Sequence, residues 1–321
     1  MSELQELSQQ VLRAAERLRD RVVRTPVVAS PWLSAAVGSE VRCKLENVQH
    51  TGSFKVRGAT NAMALLAPEV RRRGIVAASS GNHGLGVAAA ALELGVPALV
   101  LVPETTAPAK QAAIRKLGAE VQPFGADCVD TERQARLVAE ATGRHYLSPY
   151  NDLDVVAGQG TVAVELLEQW PLVEVVYVAL GGGGLISGMA AYGKSVRPEV
   201  EFVACSPLQS NAMAECVRRG AIVDVPCGET WSDSTAGGVE PGAITFPLCQ
   251  RLVDRYLDLD EASIEAALLG CLEHQHLLVE GAAAVAVAAC LADPELRGRR
   301  AAVIVCGANL PFSRLRSLLR R

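Results

Sequence analysis

The chain has 321 residues, 50% of them hydrophobic and 4% aromatic, with 31 Lys+Arg against 35 Asp+Glu. That balance excludes a disordered chain and a nucleic-acid binder working through bulk positive charge. The length supports a large core and about two domains.

The opening segment, residues 1–10, has no basic stretch followed by an apolar one, so no secretory signal is expected and the expected location is the cytoplasm. From residue 74 onward, short β-branched runs alternate with Ala/Leu-rich stretches, the pattern of a parallel sheet covered by helices. Residues 74–78 read as a strand feeding a helix after Gly84 that ends at Gly95. Residues 97–102 are a strand, 108–117 a helix closed by Gly118, 120–124 a strand, and 131–141 a helix closed by Gly143. A second unit starts near residue 148: helix 155–169, strand 173–180, four glycines, and a helix over 185–192. Strand 201–205, helix 212–219, an irregular stretch 225–242 and a closing strand 301–305 follow. The longest near-apolar run, 277–292, is interrupted by Glu280 and Gly281 and falls short of the ~18 residues of a membrane span, so it reads as a buried helix.

The nine cysteines are scattered without a C-x-x-C pair, which favours reduced thiols over disulfides, zinc or iron–sulfur ligation. His274 and His276, two apart, point to different sides of a helix, and no metal is assigned to them.

Four segments carry chemistry. In Thr51-Gly52-Ser53-Phe54-Lys55 a helix begins at or near the lysine, whose ammonium the helix N-terminus disfavours, so a lowered pKa and a nucleophilic amine are expected. Gly181-Gly182-Gly183-Gly184 joins an apolar strand to a helix, where successive N–H groups form a cradle for a phosphate. Leu185-Ile186-Ser187 follows in place of the Gly-Lys-Ser/Thr of a triphosphate loop. Gly188 comes one place too late for G-x-G-x-x-G, and the next strand ends Ala204-Cys205-Ser206 with no acid for a ribose. A mononucleotide or smaller phosphorylated cofactor fits better than a dinucleotide. Ser79-Ser80-Gly81-Asn82-His83-Gly84 suits a carboxylate at a helix start, or an ordinary N-cap. Cys306, ending the strand 301–305, is by itself a small buried hydrophobe.

A reactive lysine, a phosphate cradle and a carboxylate turn together describe a pyridoxal-phosphate enzyme acting on an amino acid. In the order of its motifs the sequence resembles the fold-type II pyridoxal-phosphate family, in its threonine/serine dehydratase and serine racemase branch. The likeness runs from Arg24-Thr25-Pro26 through Lys44-Leu45-Glu46-Asn47, the lysine motif, the 79–84 turn, residues 157–161, the tetraglycine and Cys306-Gly307-Ala308-Asn309. It implies an α/β fold of the tryptophan synthase β-like kind, two open twisted parallel-sheet domains with the cofactor in the cleft between them. A large domain (1–48 plus 149–321), a small domain (49–148) carrying the lysine and the carboxylate loop, and a homodimer are implied with it.

Residue by residue, the resemblance makes Lys55 the residue that carries the cofactor and Phe54 its neighbour beside the ring. Asn82 bonds the ring oxygen, Gly181 to Gly184 hold the phosphate, Cys306 faces the pyridine nitrogen, and Gly238 is a backbone contact. Ser80, Gly81, Asn82 and His83 receive the substrate carboxylate, and Ser80 stands where racemases keep a second proton-transfer group. A neutral thiol at the ring nitrogen favours loss of a β-substituent over long-lived carbanion chemistry. The expected activity is therefore dehydration and deamination of L-threonine and/or L-serine to a 2-oxo acid and ammonia, with Lys55 as base.

Serine or aspartate racemisation, and dehydration of 3-hydroxyaspartate or phenylserine, are the alternatives. A nicotinamide dehydrogenase or a non-catalytic phosphate binder conflicts with the glycine spacing and the missing acid. Tyr150 stands where dehydratases carry an aromatic residue. Val56-Arg57 after the lysine departs from the Asp-Arg of the β-replacement branch, and residues 307–321 are too few for a regulatory domain, so feedback by isoleucine is not expected. Ser206-Pro207 replaces a Glu-Pro pair at the branch's mono- or divalent-cation site, which leaves a cation in doubt. The expected partner is a small amino-acid substrate, with neither nucleic acid nor membrane.

Overall fold

A computed structural model describes residues 3–79, 81–126 and 128–320, with the side chain of Cys128 excepted. The described residues form strands β1 (Val27–Ala29), β2 (Val41–Leu45), β3 (Ile75–Ala78), β4 (Ala98–Val102), β5 (Glu120–Pro123), β6 (His145–Tyr146), β7 (Val175–Ala179), β8 (Glu201–Pro207), β9 (Arg255–Leu259) and β10 (Ala301–Val305). They form two open sheets. The larger runs β1-β2-β10-β7-β8-β9 and the smaller β5-β4-β3-β6. Every pairing is parallel except β1 with β2, an edge strand too short to show in the alternation of the sequence. Strands β7 and β10 are buried on both faces, which is why they read as unbroken apolar runs.

The helices close much as their glycines predict: Asn82–Leu94 ends at Gly95 with φ 63°, a left-handed C-cap. The stretch 225–242 is irregular, as expected. The run 277–292 is helical only over Gly281–Ala292. Its first residues turn away because Glu280 N–H bonds the Gly307 carbonyl at 3.0 Å and His276 takes a φ of 54°. The described cysteines are free. No helix among the described residues is long and apolar enough to cross a membrane.

One core surrounds the large sheet, with the Gly281–Ala292 and Leu153–Gln169 helices packed into it, and a second fills the small sheet. The Lys55–Leu65 helix links the two sheets. Ala59, Ala62 and Met63 lie in the small sheet's core, while its first turn is tied to the large sheet. Arg57 is fully buried between Glu46, just beyond β2, and Glu165 on the Leu153–Gln169 helix, with two hydrogen bonds to each. Lys44 adds a second buried cation against Glu165. Burial opposes the charge on Glu46, but Arg57 outweighs it and holds the carboxyl below its ordinary range. Two cations and two carboxylates thus compensate one another in a dry place, which is the condition for burying charge at all.

Candidate active site

The segment before the lysine is stitched to the end of β10. Ala308 N–H donates to the Gly52 carbonyl at 2.8 Å, Phe54 N–H to the Cys306 carbonyl at 3.1 Å, and Ser53 bridges Gly307. Backbone bonding therefore sets Lys55 beside Cys306. The helix starts at Lys55 itself, and Nζ donates to the Pro149 carbonyl at 3.2 Å and lies 5.2 Å from the Phe54 ring centre. Burial brings the amine down to about 8, against the pull of Cys306 and Glu280. The direction expected from the helix N-terminus is present, but its main cause is burial. Burial also pushes the Cys306 thiol well above its ordinary range, so it stays neutral.

Beyond β7 the four glycines lead into the Gly184–Val196 helix, with Gly183 at φ 84° as its N-cap. The Ser187 N–H bonds the Gly183 carbonyl at 3.0 Å, and the amides before it in that turn have no acceptor within the helix. A Cβ on Gly182 would stand 2.3 Å from the Tyr150 ring, so only glycine admits this approach. Tyr150 is itself fixed by accepting the Glu240 N–H on its hydroxyl at 3.0 Å.

Phe54, Lys55, Asn82, Tyr150, the four glycines and Cys306 line one cavity. Other residues from the sequence reading lie beside it. Gly81 caps the Asn82–Leu94 helix and gives its N–H to the Ser79 hydroxyl at 3.2 Å. The buried His83 ring faces the Leu147 carbonyl with Nε2 at 3.0 Å. A carbonyl only accepts, so Nε2 carries the proton; burial holds the ring neutral, down to about 3, and Nδ1 is left as an acceptor. The part of His83 able to greet a carboxylate is its backbone N–H. Gly238 is exposed and outside the lining. Ser80 lies outside the described residues.

Sequence reasoning missed Glu280, Ser234 and Thr235, which line the same cavity. Glu280 is 3% exposed and accepts from Asn82 Nδ2 at 2.7 Å, Ser234 Oγ at 3.2 Å and the Asn309 N–H at 3.2 Å. Burial pushes its carboxyl up to about 7, against the hydrogen bond from Asn82. An acid interrupting an apolar run was the available signal, since such a residue is buried only with partners.

At the carboxyl end of β8 the buried Ser206 brings no carboxylate of its own; its register partner Asp258 gives Oδ2 to Arg218 at 2.7 Å and to Asn211 at 3.0 Å, and its Oδ1 is buried without a hydrogen-bond partner. No group of three or more His, Cys, Asp or Glu among the described residues could hold a metal ion.

A near-neutral amine opposite a glycine anion cradle, at the carboxyl ends of parallel strands, defines an enzyme built around a phosphorylated carbonyl cofactor. The comparisons agree. A family model described as pyridoxal-phosphate dependent enzyme matches residues 18–307, and the chain belongs to that family. An L-threonine ammonia-lyase of Thermotoga maritima is 39% identical over 311 residues, covering 97% of this chain and 77% of its own. An L-threo-3-hydroxyaspartate ammonia-lyase of a Pseudomonas species is 36% identical, covering 97% of each chain. The structure of maize serine racemase superposes with a TM-score of 0.91 at 32% identity, over 97% of this chain and 96% of that one.

The cofactor is pyridoxal phosphate, and the cavity fits it. The cradle has no room for side chains and offers amides to a dianion, while the thiol is neutral and burial lowers the pKa of the amine to about 8.

Proposed function

We propose that the chain is an ammonia-lyase that eliminates the β-hydroxyl of L-threonine and/or L-serine, giving 2-oxobutyrate or pyruvate and ammonia. The observation that carries this reading is the pairing of Lys55 with the buried, neutral Cys306 in one cavity. Pyridoxal phosphate, when bound, acidifies the substrate Cα–H and eases departure of the β-hydroxyl. Gly181 to Gly184 would hold its phosphate, Asn82 its ring oxygen and Phe54 one ring edge, with Cys306 at the ring nitrogen. The Cys306 thiol brings no charge to the nitrogen and so limits how much electron density the ring can store. Lys55 Nζ, its pKa lowered by burial, takes the Cα proton. Gly81, Asn82 and His83, at the start of the Asn82–Leu94 helix, would orient the substrate carboxylate together with Ser80, and Tyr150 bounds the pocket. The names of the Thermotoga and Pseudomonas relatives support ammonia release from a β-hydroxy amino acid.

A homodimer, a cytoplasmic location and a division into 1–48 plus 149–321 and 49–148 belong to the same proposal. The two separate sheets support the division, with all strands of the small one between Ile75 and Tyr146.

The test is to give the cofactor-loaded protein L-threonine, L-serine, D-serine and L-threo-3-hydroxyaspartate, following 2-oxo acid release and the chirality of unreacted amino acid. Fast oxo-acid release from L-threonine or L-serine is expected. Release confined to 3-hydroxyaspartate replaces the substrate, and interconversion of enantiomers without release replaces the reaction by racemisation.

A further inference from the structure

Asn82 is held by both ends of its carboxamide. The sequence of donors can be read from one fixed point, the Thr51 carbonyl, which can only accept. Asn309 Nδ2 lies 2.9 Å from that oxygen and must be its donor. The same Nδ2 lies 2.6 Å from Asn82, so the Asn82 atom facing it is Oδ1. Asn82 Nδ2 is thereby turned to Glu280 Oε1 at 2.7 Å. With Oδ1 engaged and one N–H given to Glu280, what remains to Asn82 is a single N–H. An amide left loose could offer either end; this one cannot.

Glu280 is anchored in turn. Its backbone N–H bonds the Gly307 carbonyl, its Oε2 accepts the Asn309 N–H, and a Cβ on Gly307 would lie 2.4 Å from Oε1. Three segments meet here: the start of the Asn82–Leu94 helix, the start of the Gly281–Ala292 helix, and the loop after β10.

We propose that Glu280 and Asn309 are positioning residues that brace Asn82 from either side, so that it meets the cofactor's ring oxygen only as a hydrogen-bond donor. The proposal rests on the assignment of Asn82 to that oxygen made above. A donor-only partner favours the ionised oxygen over the hydroxyl, which sets the cofactor's protonation as well as its hold. The brace is also pH-sensitive. All three described partners of Glu280 donate to it, so a proton taken up by its carboxyl must either displace one of the two amide donors or turn the Ser234 hydroxyl round to accept. The charged or titratable groups facing it are Lys55 from its helix, Cys306 from the end of β10, and Asp233 from the irregular segment.

Two isosteric substitutions in the full-length holoenzyme test this, Asn309→Asp and Glu280→Gln. The readouts are the rate of cofactor release on dialysis and the pH at which the visible cofactor band changes, with thermal melting as a check on folding. Asn309→Asp turns a donor into an acceptor against both Thr51 and Asn82; Glu280→Gln sets an N–H against either Asn82 or Asn309. Each is expected to speed release by about ten- to a hundredfold, the worth of one hydrogen bond to a charged group, and to move the band transition. Wild-type release and an unmoved band in both variants would overturn the brace, even with a lowered melting temperature. Asn82→Ala separates the two layers: a shifted band there with unshifted brace variants refutes the brace alone, whereas an unshifted band in Asn82→Ala removes the assignment beneath it.

Discussion

Arg57 and Glu46 share two hydrogen bonds, Nε to Oε2 at 2.7 Å and Nη2 to Oε1 at 2.8 Å, with both side chains at 0% exposure. Two residues after the cofactor lysine, this pair fixes the first turn of the lysine helix to the strand layer that also carries the glycine cradle. Breaking it leaves the buried Glu46 carboxylate without its guanidinium and held by the Thr25 hydroxyl at 2.6 Å, a far larger loss than that of an exposed ion pair.

Arg57→Ala is accordingly expected to destabilise the protein by about 3–5 kcal/mol. Arg57→Lys keeps the charge but not the fork geometry and should fall between it and the wild type. Urea unfolding of the three proteins checks the order, and a wild-type midpoint for Arg57→Ala contradicts it.

Gly182→Ala places a methyl 2.3 Å from the Tyr150 ring. The cradle must open or the ring must leave the Glu240 N–H, and cofactor affinity should drop by at least about tenfold. Fluorescence titration with pyridoxal phosphate measures this. Removing the ring as well, in Gly182→Ala with Tyr150→Ala, should recover part of the loss.

The amine of Lys55 titrates at about 8 instead of 10.5 because it is buried. In the cofactor-free protein about half of it is unprotonated at pH 8, against well under about 1% for an ordinary lysine. Acylation of Lys55, followed by peptide mass mapping, should reach half its plateau rate near that pH and be blocked by pyridoxal phosphate. The sign for stability follows: the folded pKa is depressed, so the contribution of Lys55 is full above 10.5 and lost as pH falls through 8. A plateau reached only near 10.5 would show an exposed amine.

Cys306→Ser keeps a neutral group of similar size at the end of β10 and should retain elimination to within about tenfold, one ordinary hydrogen bond being at stake. Cys306→Asp brings a carboxylate beside Glu280, which should weaken elimination and let enantiomer exchange appear. Parallel assays of oxo-acid release and substrate chirality decide it; unchanged elimination in Cys306→Asp removes the thiol from the argument.

Much of this was readable beforehand because the large sheet's inner strands are apolar on both faces and the small sheet's helices end in glycines whose φ the structure confirms, as at Gly95 and Gly143. The glycine run and Lys55 were legible for a related reason: glycine in series and a lysine at a helix start are locally costly, so each points to a ligand. Strands β1 and β6, three and two residues long, carry too little periodicity to see. Glu280 escaped because its partners, Asn82 and Asn309, are 198 and 29 residues away, and only the closed fold brings them together. The His83 ring was equally hidden, since its turn toward Leu147 depends on β3 and the chain beyond β6 lying side by side.

The stitching of residues 52–54 to residues 306–308 ties the segment before the lysine to the end of β10, while Ala59, Ala62 and Met63 of the lysine helix share the small sheet's core with the helix that Asn82 begins. The lysine therefore stands on a seam, and a substitution that loosens either sheet's grip on its helix should be felt at the amine before it is felt at the glycine cradle.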